Sequence, residues 1–424
     1  MQRSDNELNR LQMSTSGGIQ GLDLEERSNL VELDRKLHSY WSLGRNYVLG
    51  WHPNETGIEL LVVPHYTVAS YAIPQKPAAA PENAPVQQDA TPSYSEQDDE
   101  SQAFIIDLLS QSRQLDQRHL ENAAKLFGVE PVQVKLRKPI DTRPEELRLV
   151  EQLIRRYSIN YVPNRAVALF DIVGFSLLTP FEQMTQLNSL SYSLNSAHHK
   201  MLGTNIDVNF ARSSTGDGFY IWNRDTGTKA NTNLYHLMHL VMADNAIARR
   251  KAKGRTVPLL RTCFHVGGCY EFHQAEGLNP TIRSDIVGDV TIELARMIDR
   301  ALPGQIFVGE FQTLVTSDPA ATGTALDSIG FVEKAQRDLS ELNGLELSGE
   351  EIDSIKCYLT GQLQGDGAYS IRKLSITDKH GLSRNVFNAK INIYRRDADP
   401  ILLGVEDKML RDDTLDMRTV EHVI

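Results

Sequence analysis

The chain has 424 residues, with 44 Lys plus Arg against 55 Asp plus Glu and a formal net charge of −11. That length gives room for roughly two or three domains, and the negative sign excludes a protein that coats nucleic acid by charge alone. Three cysteines (Cys263, Cys269, Cys357) exclude a disulfide scaffold and provide no CxxC zinc pair. The N-terminal MQRSDNELNR lacks the apolar stretch of a signal peptide, and no run of about 18 apolar residues occurs. The expectation is a cytoplasmic, reduced protein with no membrane span and no nucleic-acid partner.

In chain order, ELLVVPHYTVASYAI reads as β-rich, within an N-terminal appendage over 1–73 whose function has no signature. Residues 74–101 contain PQKPAAAPENAP and end acidic, a composition too poor in apolar groups to offset its ordering entropy, so a disordered linker is expected. A helical segment follows over 102–160. Within it AFIIDLLSQSRQLDQRHLENAAKLFGV reads as one or two helices. Thr142 and Glu145 are spaced as a capping box, with Pro144 in the first turn.

From Arg165 the pattern alternates. AVALFDIV is a buried strand, TPFEQMTQLNSLSYSLNSAHHKML a helix, and NIDVNFARSS-TGDG-FYIWN a hairpin with an Asp-Gly turn. A long helix spans about Thr228 to Ala252. LLRTCFHVGGCYEF is a strand, VTIELARMIDRA a helix and QIFVGE a strand. The order is that of an α+β or α/β domain. Near the C-terminus, Tyr369 to Arg396 alternates apolar and polar residues around DKHG, as a hairpin or small sheet does.

Two aspartates stand out. Asp171 sits inside an apolar strand, where a carboxylate is costly unless paired or bound to a metal. Asp217 sits at the hairpin tip among small residues. Adjacent strands would bring both together, and paired hard oxygens suit Mg²⁺ or Mn²⁺. The turn IVGFS adds backbone N–H groups at a helix start, a ready anion site. Taken alone, each has a plainer reading: Asp-Gly as turn chemistry, Asp171 as a strand-end residue.

The ordered combination resembles the class III nucleotidyl cyclase catalytic domain. FDIVGFS resembles that family's first metal motif and STGDGFY its second. RTCFHVGG resembles its R-x-G-x-H-x-G strand, with Cys263 in place of a glycine. SDIVGDVTIELARM resembles the segment from base recognition to the transition-state arginine. The match runs from about Arg165 to Val315. It implies an α+β fold with a ferredoxin-like βαββαβ core over 161–332. Asp171, Asp217 and the carbonyl of Ile172 would then bind two divalent cations, Mn²⁺ or Mg²⁺. Phe170, Val173, Gly174, Phe175 and Ser176 would surround the substrate, the last four through phosphate-cradling backbone groups. Asp285 would read the base, and Arg296 would stabilise charge developing on the phosphate. Active sites would form at the interface of a head-to-tail homodimer.

Three departures qualify the resemblance. The purine-reading lysine position is Ser213, beside Arg212. The usual asparagine position is Ile292, where either Thr291 or Glu293 compensates or the active site is built differently. The triphosphate lysine has no clear place, with Lys334 and Lys356 as candidates. Residues 333–424 resemble the small β-rich sensor-like domain beside bacterial anti-phage nucleotide synthases, including the pyrimidine cyclases of Pycsar systems. Together these favour conversion of UTP, or less readily CTP, to a 3′,5′-cyclic monophosphate and pyrophosphate. Arg212, as a donor near O4, tips the balance to UTP. The product would activate a separate effector. An adenylate cyclase, or an inactive cyclase-homology regulator, is the alternative.

Overall fold

The computed structural model describes residues 23–42, 44–69, 96–140, 143–204, 206, 208–275, 282–315, 324–363, 369–378, 381–410 and 417–423. It divides into two compact units. The first holds the described residues up to Val162 together with Tyr270–Ile286. The second holds Pro163–Cys269 and Val287–Ile424.

The first unit is layered around a small antiparallel sheet, β1 (Asn46–Asn54), β2 (Gly57–Pro64) and β3 (Val132–Lys135), in that order. Helix α1 (Leu24–Trp41) starts at a capping box, in which Asp23 accepts from the N–H of Glu26 at 2.8 Å and Glu26 reciprocates at 2.9 Å. Its Leu30, Leu33 and Leu37 recur at helical spacing and meet Val48, Ile58 and Leu60 of the sheet. The short α2 (His65–Ala69) follows β2, so the β-rich reading of that stretch holds only to Pro64. The other side of the sheet is covered by α3 (Glu96–Ser110) and α4 (Gln117–Phe127), through Ile105, Leu109, Leu120 and Phe127 against Leu49, Leu61 and Val63. Helix α5 (Pro144–Arg155) adds Leu149 and Leu153 to the α1 side.

This architecture corrects the expected boundaries. Residues before 73 are no separate appendage, because β2 pairs with β3 across the expected linker and shares a core with α5. Helix α3 begins at Glu96, inside that linker, whose 74–95 portion lies outside the described residues. The 102–160 segment contains strand as well as helix. Thr142 also lies outside the described residues, and the N-cap of α5 is Arg143, with no side-chain cap bond.

The second unit is built on β4 (Ile159–Ile172), α6 (Pro180–Gly203), β5 (Phe210–Ser214), β6 (Gly218–Asn223), α7 (Thr228–Lys251) and β7 (Leu260–Ala275). The strands lie in the order β7-β4-β6-β5. Thr179 and Glu182 form the capping box that starts α6, with Pro180 in its first turn. After β8 (Ile282–Val287), which pairs with β7, come α8 (Asp289–Ile298) and β9 (Ile306–Gly309), which joins β7 in parallel. A side hairpin, β10 (Gln312–Val315) with β11 (Thr324–Asp327), leads into α9 (Ser328–Asp338).

The remaining strands are β12 (Glu346–Leu347), β13 (Glu350–Leu359), β14 (Gly361–Leu363), β15 (Tyr369–Thr377), β16 (Ser383–Arg395), β17 (Ala398–Leu403) and β18 (Met417–Val423). The expected hairpin over 369–396 is present as β15 and β16. A separate domain over 333–424 is not. β16 pairs antiparallel with β9, Val386 opposite Gly309 and Phe387 opposite Val308, so the C-terminal strands extend the central sheet. Ile391, Ile393 and Cys357 share one core with Phe170 and Phe264.

The two faces of this sheet differ. On one, Ala168, Phe170 and Ile172 of β4 and Phe264 and Val266 of β7 are covered by Leu190 and Leu194 of α6, Leu234 and Val241 of α7 and Phe331 of α9. Because side chains alternate along a strand, Leu169, Asp171, Arg261, Cys263 and His265 fall on the other face. Among the described residues, no helix is long and apolar enough to cross a membrane.

Candidate active site

The register of β4 against β6 assembles the site. Asp171 lies opposite Gly218, and the Ile172 N–H donates to the carbonyl of Asp217 at 3.0 Å. Gly218 is required at this crossing: a Cβ there would lie 1.9 Å from the carbonyl oxygen of Phe170. Gly218→Ala should therefore force β4 and β6 apart beside both aspartates. We expect a loss of about 3 kcal/mol, measured by denaturant unfolding; a midpoint equal to wild type would contradict the crossing.

The Asp171 side chain is 9 % exposed, and its Oδ2 accepts from Arg261 Nε at 2.6 Å. Burial pushes its carboxyl above the usual range. The Arg261 hydrogen bond and charge pull it back, and the charges of Asp217 and Asp299 push it up again. A largely buried carboxylate that feels two other acids is a site short of positive charge. Asp217 is partly exposed, and its Oδ1 accepts from the Thr215 hydroxyl at 3.2 Å. Tyr220 stands on the same face as Asp171, donates its hydroxyl to the Thr291 carbonyl at 3.2 Å, and has its pKa raised to about 12 by burial.

Two carboxylates with hard oxygens fit a cation of the Mg²⁺ or Mn²⁺ type. Among the described residues, no group of three or more His, Cys, Asp or Glu is placed to hold a metal. That is consistent with Mg²⁺ chemistry, where one or two carboxylates act together with substrate phosphates. A cation bound beside Asp171 would bring its raised pKa back down.

The turn expected to receive phosphate is formed in part. Gly174 adopts φ 69°, a left-handed conformation suited to glycine, and starts a single 3₁₀ turn over Phe175–Leu177. Val173 is not available as a cradle: its N–H already donates to the Leu259 carbonyl at 2.9 Å. The Phe170 side chain is sealed in the core. Gly174, Phe175 and Ser176 follow directly on β4. Beside them, a concavity of about 310 Å³ is lined by Gly174, Leu178, Gln186, Arg249 and Arg255.

Arg212 departs from expectation. It pairs with Ile221 in the β5–β6 register, one residue off Ser213, which pairs with Tyr220. Cross-strand partners share a face, so Ser213 lies on the face of Asp171 and Arg212 on the helix side. There its Nη1 donates to the Ser191 hydroxyl at 2.6 Å, and its guanidinium sits 5.3 Å from the Phe219 ring centroid. The physical basis for Arg212 as a uracil reader is lost. Asp285 lies on β8 in the first unit, and its carboxylate accepts from the N–H of Ile286 at 2.9 Å.

Arg296 on α8 is 27 % exposed at its side chain and is ion-paired with Asp378. Ile292 is exposed. Thr291 caps α8 through Gly288 and Glu293 pairs with Arg384 at 2.6 Å, so both candidate substitutes for the missing asparagine are engaged. Lys334 pairs with Asp338 at 2.8 Å, and Lys356 lies 5.8 Å from the Tyr394 ring centroid. His265 is a buried strand histidine. Lys379 and His380 lie outside the described residues. Sequence reasoning leaves Arg261, Tyr220 and Asp378 without roles. For Arg261 a signal exists: it stands two and four residues before Cys263 and His265, hence on their face.

No protein-family model and no curated protein matches the chain. Among solved structures it is similar to the adenylyl cyclase CyaB from P. aeruginosa, at 13% identity and TM-score 0.32, covering 57% of this chain and 97% of that one. It is also similar to the guanylate cyclase domain of RhGC from Catenaria anguillulae in complex with GTP, at 11% identity and TM-score 0.31, covering 56% and 99%. A third is the guanylyl cyclase Cya2, at 11% and 0.28, covering 54% and 92%. Overlap at that level decides nothing about this chain, whose chemistry follows from its own strands and side chains.

Proposed function

We propose that the chain is a class III-type nucleotidyl cyclase that converts a nucleoside triphosphate to a 3′,5′-cyclic monophosphate and pyrophosphate. The observation that carries this is the crossing of β4 and β6, which sets Asp171 beside Asp217 with the Gly174 turn following directly. The strand order β7-β4-β6-β5 supports a ferredoxin-like βαββαβ core. Asp171 and Asp217, with the Ile172 carbonyl, would hold Mg²⁺ or Mn²⁺. Bound there, such cations would acidify the ribose 3′-hydroxyl and neutralise the triphosphate. The amides of Gly174, Phe175 and Ser176 would receive phosphate oxygens. Arg261 orients Asp171 and offsets part of the upward push of burial on its carboxyl. Arg296 would meet charge developing at the α-phosphorus, and Asp285 would contact the base in a homodimer with shared sites.

A pyrimidine substrate is favoured because Ser213, on the Asp171 face, replaces the purine-reading lysine. UTP and CTP are both candidates, because Arg212, the donor that would have favoured UTP, stands on the helix side of the sheet. The wider reading is a Pycsar-type anti-phage signal acting through a separate effector in the cytoplasm. One observation favours an inactive regulator instead: Ile292 at the asparagine position, with Thr291 and Glu293 both engaged. Purified full chain incubated with each of the four NTPs and Mn²⁺, with products read by mass, separates these. We expect cyclic UMP or CMP. ATP consumption alone would overturn the pyrimidine reading, and no cyclic product from any NTP would overturn the enzyme reading.

A further inference from the structure

We infer that Asp378, at the turn between β15 and β16, is a positioning residue that orients the guanidinium of Arg296; this rests on the reading of Arg296 as the arginine that meets the phosphate. The two residues come from distant parts of the sequence. Arg296 Nη1 donates to Asp378 Oδ2. The acid is itself held on three sides: its Oδ1 accepts from the N–H of Leu382 at 3.0 Å, its Oδ2 accepts from Arg384 Nη1 at 3.0 Å, and its own N–H donates to the Leu382 carbonyl at 3.0 Å. Arg384 Nε in turn lies 2.6 Å from Glu293 Oε2, one helical turn before Arg296 on α8. The hairpin thus grips α8 at two points.

Exposure gives the direction. Asp378 is 6 % exposed and Arg384 11 %, whereas Arg296 is 27 % exposed. The carboxylate is the buried backing, and the arginine is the outward group. A guanidinium carries five N–H donors in a planar fork. Asp378 fixes one edge and leaves donors for a second anion. A long arginine side chain otherwise samples many rotamers, and holding it before substrate arrives removes that ordering cost from the transition state. With two arginines and two acids the cluster is neutral, so the buried charge is balanced. A merely structural salt bridge would stabilise the fold without acting through Arg296.

The test uses the full chain and the nucleotide identified by the NTP panel. Asp378→Asn should lower kcat by about 10-fold, while affinity for the 3′-deoxy analogue of that nucleotide stays within about 2-fold, since orientation acts on the transition state. Asp378→Glu should recover part of the loss. In an Arg296→Ala background, Asp378→Asn should have no further effect. Unchanged or raised kcat in Asp378→Asn, or effects that multiply with Arg296→Ala, would overturn the inference while leaving the cyclase reading intact. Wild-type kcat in Arg296→Ala would instead remove the role of Arg296, and the inference with it. A second readout is independent of turnover and of folding loss in any one variant. The ¹⁵N side-chain signal of Arg296 should sharpen through faster rotation in Asp378→Asn and remain near wild type in Asp378→Glu; an unmoved signal in Asp378→Asn overturns the pairing.

Discussion

Asp171→Asn should reduce cyclic nucleotide formation by about 10²–10³-fold and leave the fold in place. Asparagine has the shape of aspartate and keeps an oxygen for the Arg261 Nε–H that Asp171 Oδ2 receives at 2.6 Å. It removes only the charge. If Asp171 were a structural partner of Arg261 alone, the substitution would cost stability and spare activity. If it holds a cation for the triphosphate, the reverse is expected, and the residual rate should need more Mn²⁺ to saturate. Asp171→Ala makes a poorer test. It strands a half-buried guanidinium, and removing one partner of a charge-assisted pair costs about 1.5–3 kcal/mol. Paired melts and Mn²⁺ titrations of the two variants separate the cases. Activity within about 3-fold of wild type in Asp171→Asn would end the metal assignment, because a ligand charge that contributes under about 1 kcal/mol is not holding a triphosphate.

Asp171 and Asp217 are legible in the sequence because the signals that place them are local. An acid in an apolar strand and an Asp-Gly turn between two β-like runs are patterns of a few residues. Arg212 is misplaced by sequence alone for an equally physical reason. The face on which a strand residue falls depends on register, and a shift of one residue reverses it. Arg212 and Ser213 are neighbours in sequence and stand on opposite sides of the sheet.

The C-terminal region shows the larger blind spot. The hairpin β15–β16 is readable from alternation, but its attachment is not, since β16 meets β9 through residues some eighty positions apart. The same holds for β2 with β3, which a proline-rich stretch separates. Composition locates that stretch, yet it cannot show that the segments on either side share a core. The Arg296–Asp378 pair combines both difficulties, a distant partner and a charged residue that sequence alone reads as a solvated turn.

Acid should destabilise the second unit well above the range where carboxylates titrate, because three of its histidines are buried. Burial lowers the pKa of His236 to about 4, with the Ala335 carbonyl that it faces at 3.0 Å and the charges of Asp338 and Glu341 opposing and Lys229 assisting. His265 is lowered to about 4 by burial and by Arg384. His239 is held well below the usual imidazole range by burial and by His236. In each case the unfolded chain binds the proton at a higher pH than the folded one. Between about pH 6.5 and pH 4 the unfolded state therefore carries more protons, and stability rises with pH across that window. The stabilisation is complete above about pH 6.5 and is lost as pH falls toward 4. Each pKa unit corresponds to about 1.4 kcal/mol, so at pH 5 His236 and His265 each cost about 2 kcal/mol. Amide exchange along α7, which carries His236 and His239, should show opening free energies that are flat from pH 8 to 7 and fall steeply below 6.5. His239→Leu should reduce the slope, because it removes a buried base whose two ring nitrogens have no hydrogen-bond partner among the described residues. Exchange protection that stays constant down to pH 5 would mean that these rings reach solvent or a counter-charge when protonated, and the packing of α7 against the sheet would need to be redrawn.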